Sequence, residues 1–310
     1  MKFNKYFVLL FVLLFAFSVS AKSFSFSNVQ TDYQIMDNGL VKVKESMKLN
    51  FSGDFHFGYR DIKLDNGNGQ KIQNILVKVG GVVTPYKLQE LGYEKIGSKE
   101  LVEKRIYYEF SATNEAKEIV LEYELVNAVT VYNDGLEFFW KIWPEQWQEG
   151  VPELNGAIAL PGKVADPKEV YSWGHPTVNG KLGLQDNQKL IFQVFNLPAQ
   201  QFLEIRTFFP NTLKSTEFTL VKNENGLEKI TEEENNQFYV GNILKFLLDI
   251  IPILILLLVP IIFITLWWVD GREPKIEYDA MYEREIPFNY SPAIVSALIN
   301  QDSKKPNNES

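Results

Sequence analysis

From Ile250 to Val269 the chain runs for twenty residues without a charged side chain. No other stretch constrains the fold as tightly. At about 1.5 Å rise per residue, twenty helical residues reach roughly 30 Å, the thickness of a bilayer's hydrocarbon core. In lipid every backbone polar group must find a partner within the protein, and a helix is the one form in which a single span does so. Pro252 and Pro260 lie inside the run; in a membrane helix they signify a kink rather than a break. Trp267 and Trp268 close it, as amphipathic rings do at a lipid–water boundary. Lys245 and Asp249 stand just before it at i,i+4 spacing, suited to one ion pair at the outer interface. A buried core helix of this length would carry a polar face, and this run has a single Thr.

The amino terminus has the pattern of a signal peptide. Lys2 and Lys5 precede an apolar stretch from Tyr6 to Phe17, and Val19-Ser20-Ala21 suits cleavage after Ala21. The organisation expected is a signal peptide over 1–21, an exported domain over 22–222, a linker over 223–242, a transmembrane helix over 243–269 and a short cytoplasmic tail over 270–310. A cleaved signal followed by a stop-transfer run yields a single-pass protein of the cell membrane with its large domain outside. Arg272, Lys275 and Arg284 agree with a cytoplasmic tail, although acidic neighbours and Lys245 on the other side dilute that asymmetry.

The chain has no cysteine and two histidines, His56 and His175. Thiolate chemistry, disulfide redox and cysteine-ligated metals are excluded, a histidine-rich metal site is impossible, and a Ser-His-Asp triad would have to use one of these two. An exported domain of about 220 residues builds its own core without disulfides. The net charge of −8 argues against a broad nucleic-acid surface. There is no phosphate-cradling Gly-rich loop and no Gly-x-Ser-x-Gly elbow, so no cofactor and no metal are expected.

From Ser23 onward apolar and polar residues alternate with period two, and turn residues separate the runs. Val41, Val43, Glu45, Met47, Leu49 and Phe51 share one face of the clearest strand, so Glu45 points inward. In the next run Arg60 is in phase with Ile62 and Leu64 and points inward too. A lone buried charge is very costly, whereas a paired one is tolerable, and the guanidinium fork can grip a carboxylate with two hydrogen bonds. A Glu45–Arg60 contact that fixes register is therefore predicted. After Asn133-Asp134-Gly135, a strong hairpin signal, the chain turns aromatic: Phe138, Phe139, Trp140, Trp143 and Trp147. Aromatic residues in both phases indicate a strand covered on both sides. The sharper reading makes Trp140, Trp143 and Trp147 an exposed platform for stacking sugar rings or peptide. His175 precedes a proline and is placed on a turn. The polar stretch from Asn211 to Asn242, with Glu232-Glu233-Glu234, reads as an extra strand and the linker. Ten or more short strands without a long helical pattern predict a mainly β protein: an antiparallel β-sandwich ectodomain, one transmembrane α-helix and a short α-helical tail.

Four segments in order resemble a known family. They are Val43-Lys44-Glu45 with Phe55 to Arg60 and Ile62; Trp140 to Trp147 leading to Ile158-Ala159-Leu160-Pro161; the span followed by Gly271-Arg272-Glu273-Pro274; and Ile286-Pro287 through Tyr290-Ser291-Pro292-Ala293. In these the chain is similar to the bacterial predicted membrane proteins grouped under a domain of unknown function, DUF 2207. The resemblance implies a signal peptide, an exported β domain and a membrane anchor, and it supplies no activity or catalytic residue to transfer. Members usually continue into a longer cytoplasmic region, whereas this tail is short. Ser291 and Pro292 begin a helix there, with Ile294, Val295, Leu298 and Ile299 on one apolar face.

Three classes of function stay open. A non-catalytic surface module would bind a cell-wall polymer, a peptide or another membrane protein, with the lipid bilayer as its anchor and no nucleic acid among its partners. A glycan-directed hydrolase would need two carboxylates about 5 to 9.5 Å apart in a cleft, and Glu45, Asp61, Asp134 and Glu145 are its candidates. A regulatory subunit, the remaining alternative, would want a polar or small-residue stripe on the span, which is absent.

Overall fold

The computed structural model describes residues 22–97, 99–269, 271 and 290–300. Alternation in the sequence becomes alternation in burial. The strand Val41–Ser52 buries Val41, Val43, Glu45, Met47, Leu49 and Phe51 and turns Lys42, Lys44 and Lys48 to solvent, as period-two patterning dictates.

In chain order the strands are β1 (Ser23–Ile35), β2 (Val41–Ser52), β3 (Asp54–Asp65), β4 (Lys71–Val79), β5 (Val82–Thr84), β6 (Tyr86–Ile96), β7 (Lys99–Thr113), β8 (Ala116–Val126), β9 (Val129–Val131), β10 (Leu136–Trp143), β11 (Val151–Ala159), β12 (Tyr171–His175), β13 (Gly180–Gln185), β14 (Lys189–Leu197), β15 (Leu203–Phe209) and β16 (Thr219–Val221). Among the described residues two α-helices follow, α1 (Leu227–Val269) and α2 (Pro292–Asn300). The strands form three sheets: an eight-stranded one ordered β13-β14-β11-β1-β2-β8-β4-β5, a five-stranded one ordered β12-β15-β10-β9-β16, and a three-stranded one ordered β3-β7-β6. One hydrophobic cluster joins their inner faces in a sandwich-like arrangement, with Tyr33, Met47 and Leu121 from the large sheet, Ile106 and Tyr108 from the three-stranded sheet, and Phe138, Ile142 and Ile205 from the five-stranded one.

Two pairings depart from the antiparallel expectation. β1 and β11 run parallel, from Val29 opposite Leu154 to Gln34 opposite Ala159, and β16 runs parallel to β9. A parallel neighbour requires a long crossover, and the chain between β1 and β11 supplies one by building the other sheets. The β1–β11 contact is close. A Cβ on Gly156 of β11 would lie 2.2 Å from the Thr31 carbonyl oxygen and 2.1 Å from the Phe192 ring, so glycine alone fits there.

The chain divides into two compact units, residues 1–239 and 240–310. In the first unit the polar stretch after β15 does contain an extra strand, β16, but helix α1 already begins at Leu227, within the expected linker. Ile230 of its first turns is buried with Tyr132 and Phe208. In the second unit the segment Phe246–Val269 has a mean hydropathy of 3.0 and is long and apolar enough to cross a membrane. Both prolines lie within the helix. In α2 the backbone N–H groups of Ile294 and Val295 donate to the Ser291 carbonyl, and Ile294, Val295, Leu298 and Ile299 are exposed. The expected signal peptide, the Lys245 side chain, and Arg272, Lys275 and Arg284 lie outside the described residues.

Candidate functional site

Glu45 is fully buried and Arg60 is 4 % exposed. The two form a fork: Arg60 Nε donates to Glu45 Oε2 and Nη2 to Oε1, each at 2.9 Å. The Tyr123 hydroxyl donates to the same Oε1 at 2.8 Å, and Arg60 Nη1 reaches the Asp61 carbonyl at 2.6 Å. β2 and β3 lie in different sheets, so the pair ties the eight-stranded sheet to the three-stranded one. Burial alone would lower the pKa of Arg60; the Glu45 charge, its hydrogen bond to the guanidinium and the nearby Tyr123 and Tyr33 phenols together outweigh burial and raise the value. Burial, reinforced by Glu45, raises the pKa of Tyr33, Tyr108 and Tyr123 above the usual phenol range. Two buried ions are tolerable here because they are paired and their remaining hydrogen-bonding capacity is largely used.

Beside this pair a cleft of about 520 Å³ opens within the first unit, and Asp61, Lys63, Phe139, Lys141, Glu145 and Arg206 are among its lining residues. Most of its charges are already partnered. Asp61 accepts from Arg105 Nε and Nη2, both at 2.7 Å. Lys141 Nζ sits 2.9 Å from Glu145 and 3.7 Å from Glu204. Burial alone would raise the pKa of Glu145, but hydrogen bonds from Lys141 and the backbone, together with the Lys141 charge, bring it below the usual value. Arg206 holds three carboxylates: Glu137 at 2.6 Å, Glu233 at 2.9 Å and Glu234 at 3.0 Å. Burial opposes its charge, and those acids outweigh burial and raise its pKa.

Each of the four acids considered for hydrolysis thus has a structural partner. Glu45 is closed off by Arg60 and Tyr123, Asp61 by Arg105, and Glu145 is paired with Lys141. Asp134 caps the start of α1, accepting from the Gly226 N–H at 2.7 Å and the Leu227 N–H at 3.1 Å. Among the described residues no group of three or more His, Asp or Glu is arranged to hold a metal.

The tryptophans do not make an exposed platform. Trp143 is 1 % exposed and Trp140 7 %. Trp147 is partly buried and stacks on Trp143 at 5.3 Å, while Phe26 meets both edge-on. The cause is a bulge rather than coverage on both sides: the register shifts between Lys141 and Trp143, so Trp140 opposite Ile205 and Trp143 opposite Leu203 share the buried face. Phe139, in the other phase, is 36 % exposed, with the Arg206 guanidinium over its ring. Trp140 still contributes to the wall of the cleft.

The Arg206 cluster escaped the sequence reading. A signal was available: Glu137 stands between Leu136 and Phe138, and Arg206 follows Ile205 shortly before Phe208 and Phe209, so each charge lies in a mostly apolar strand. His175 ends β12 rather than lying on a turn. Its Nε2 is 2.8 Å from Glu234 Oε2, though neither atom makes a well-directed hydrogen bond.

Comparison with known proteins gives one family. The model described as "Predicted membrane protein (DUF2207) N-terminal domain" matches residues 25–209. No curated protein matches. Among solved structures, a putative nutrient binding protein from Legionella pneumophila is 10 % identical with a TM-score of 0.38, over 59 % of this chain and 66 % of that one. A putative protease from Parabacteroides distasonis is 13 % identical with a TM-score of 0.35, over 60 % and 40 %. An M1 zinc metallopeptidase from Deinococcus radiodurans is 5 % identical with a TM-score of 0.34, over 59 % and 42 %. The chain therefore spans less than two thirds of the length of each, and likenesses this weak carry no functional argument.

Proposed function

The chain belongs to the family of predicted membrane proteins with a DUF2207 amino-terminal domain, and from that premise we propose that it is a non-catalytic binding module held at the bacterial cell surface. Residues 22–222 stand outside the membrane, the span Phe246–Val269 anchors them, and the carboxyl-terminal tail is cytoplasmic. The observation that carries the reading is the cleft beside β3. It offers a wall of charge, hydrogen-bonding groups and aromatic edges, while every acid suited to hydrolysis is committed to a structural partner. Glycoside hydrolysis needs two carboxyl groups free to exchange protons or attack carbon. Binding needs only a shaped, partly apolar cavity with a few placed polar groups. A cell-wall polymer or the polar segment of another membrane protein is the class of ligand that such a cleft suits.

The test is retention. Full-length protein in detergent is sedimented with purified cell-wall sacculi and, separately, mixed with solubilised membrane proteins. Wild type is expected to be retained by one of these, and Lys141→Glu, which sets a third acid beside Glu145 and Glu204, is expected to lose at least ten-fold in affinity. Release of soluble sugar fragments by wild type, abolished by Glu145→Gln, would replace the binding reading with the hydrolytic one.

A further inference from the structure

Among the described residues β6 pairs on one side only, with β7, and it forms an edge of the three-stranded sheet. All eleven of its residues are exposed. Tyr86, Leu88, Leu91, Tyr93 and Ile96 are between 40 % and 57 % exposed, on a strand whose far side presents unpaired N–H and C=O groups. A long edge of this kind is a template for another strand, and a lone apolar edge is a liability unless something covers it.

The register against β7 tells which way each side chain points. Tyr86 lies opposite Tyr108 and Leu88 opposite Ile106, both buried, so the two face the core side. A bulge at Leu91 then shifts the phase. Tyr93 lies opposite buried Val102, so it too faces the core side, although it is five residues from Leu88. Lys87 and Glu94 consequently share the outer face, although seven residues, an odd number, separate them. In a regular strand residues an odd number apart lie on opposite faces; the bulge undoes that.

We infer that β6 pairs antiparallel with β6 of a second copy of this chain, with Lys87 of each copy opposite Glu94 of the other and Leu88 opposite Tyr93. A two-fold axis perpendicular to the sheet keeps each residue on its own face. Directly opposed residues must therefore share a face, and the pairs Lys87–Glu94 and Leu88–Tyr93 do so only because of the bulge. In this register two ion pairs form on the outer face and two aliphatic–aromatic pairs on the inner one, the kinds of cross-strand contact that stabilise sheets. Lys95 falls opposite Tyr86, and no two like charges are opposed. Shifting by one residue in either direction brings Lys87 opposite Lys95 or Glu90 opposite itself. Charge complementarity of the strand with itself thus selects a second copy as occupant, in the register that opposes Lys87 to Glu94. The inference does not depend on what the cleft binds.

Because the chain has no cysteine, introduced thiols are unambiguous. Two differently tagged full-length chains, Lys87→Cys and Glu94→Cys, are co-expressed, and membranes are oxidised mildly or treated with a short bis-thiol cross-linker. A mixed dimer is expected at ten-fold or more above either variant alone. Identical positions would lie seven residues apart along the strand, roughly 23 Å, beyond disulfide reach. Absence of the mixed dimer, or equal dimer from either variant alone, overturns the proposal. Charge reversal supplies a second test on cysteine-free protein in detergent. Lys87→Glu is expected to reduce the dimer fraction at least five-fold, and Lys87→Glu with Glu94→Lys to restore it. A monomeric wild type, a reversal without effect or rescue, or another protein on this edge in place of the second copy would each count against it. A cleft variant such as Lys141→Glu leaves the cross-link in place, so this inference and the binding reading fail separately.

Discussion

At the scale of single residues, the Glu45–Arg60 pair makes the interior sensitive to alkali. Tyr33, Tyr108 and Tyr123 are buried, and burial together with the nearby Glu45 carboxylate raises each phenol's pKa in the folded chain. Unfolded tyrosine ionises near pH 10. Above that pH the unfolded state has released protons that the folded state retains. The stability these groups contribute is full below about pH 10 and is lost as pH rises toward their folded values, at up to about 1.4 kcal/mol per pH unit for each phenol. Unfolding free energy from urea titrations is thus expected to be level between pH 7 and 9 and to fall steeply above 10. Tyr123→Phe should weaken that slope by about a third. It should also cost about 1.5–3 kcal/mol at neutral pH, because Glu45 loses a hydrogen bond to its charge. An unaltered slope in the variant would exclude the account. The residue pair itself was legible in the sequence from phase alone, because a charge in the buried phase of one strand demands its opposite nearby. Tyr123 as the third member was not, since a tyrosine on an apolar face reads as packing whether or not its hydroxyl is bonded.

At the scale of elements, the first turns of α1 are fastened to the β domain by charge as well as by Ile230. Arg206 on β15 reaches Glu233 and Glu234 on the helix and Glu137 on β10. Glu137 and Glu234 are buried, 7 % and 5 % exposed. Arg206→Met keeps much of the volume and strands two buried carboxylates, which costs about 3–5 kcal/mol for a broken buried pair. The loss is expected to appear first as faster amide hydrogen exchange over residues 227–236, with exchange in β1 and β2 little changed. Arg206→Lys, with one charge and no fork, should fall between. Protection at 227–236 unchanged in Arg206→Met would show that apolar packing alone holds the helix. The sequence disclosed the strands but not this joint. Alternation reports which face of a strand is buried, yet three adjacent glutamates in a polar stretch look like a solvated linker, because their cation lies 27 positions or more away in sequence. For the same reason the parallel neighbours β1 and β11 were not foreseeable: period two specifies a face and never a partner.

At the scale of the whole molecule, the two units differ in the solvent their sequences suit, and that separation can be tested. The β unit has its own continuous core. The span was the most legible feature of all, since composition alone determines whether a helix can face lipid. Of its residues from Phe246 to Val269, eighteen are Leu, Ile, Phe or Val. At about −0.3 to −0.6 kcal/mol each they favour insertion by roughly 5–11 kcal/mol. An arginine near the centre costs about 2.5–3.5 kcal/mol on the same scale. Leu254→Arg, Leu257→Arg and Ile261→Arg together therefore cost about as much as the whole run supplies, and they forfeit three of its favourable residues as well. Expressed from Lys22 onward behind a cleavable export leader, the triple variant is expected to leave the membrane fraction on carbonate extraction, while Leu254→Ile, Leu257→Ile and Ile261→Leu together remain embedded. Its tryptophan fluorescence should still report a folded β unit, since Trp140, Trp143 and Trp147 all lie in the first unit's core or against it. A triple variant that stays in the membrane would show that something other than this helix anchors the chain. One that leaves but unfolds would show that the β unit depends on the bilayer, which its own core gives no reason to expect.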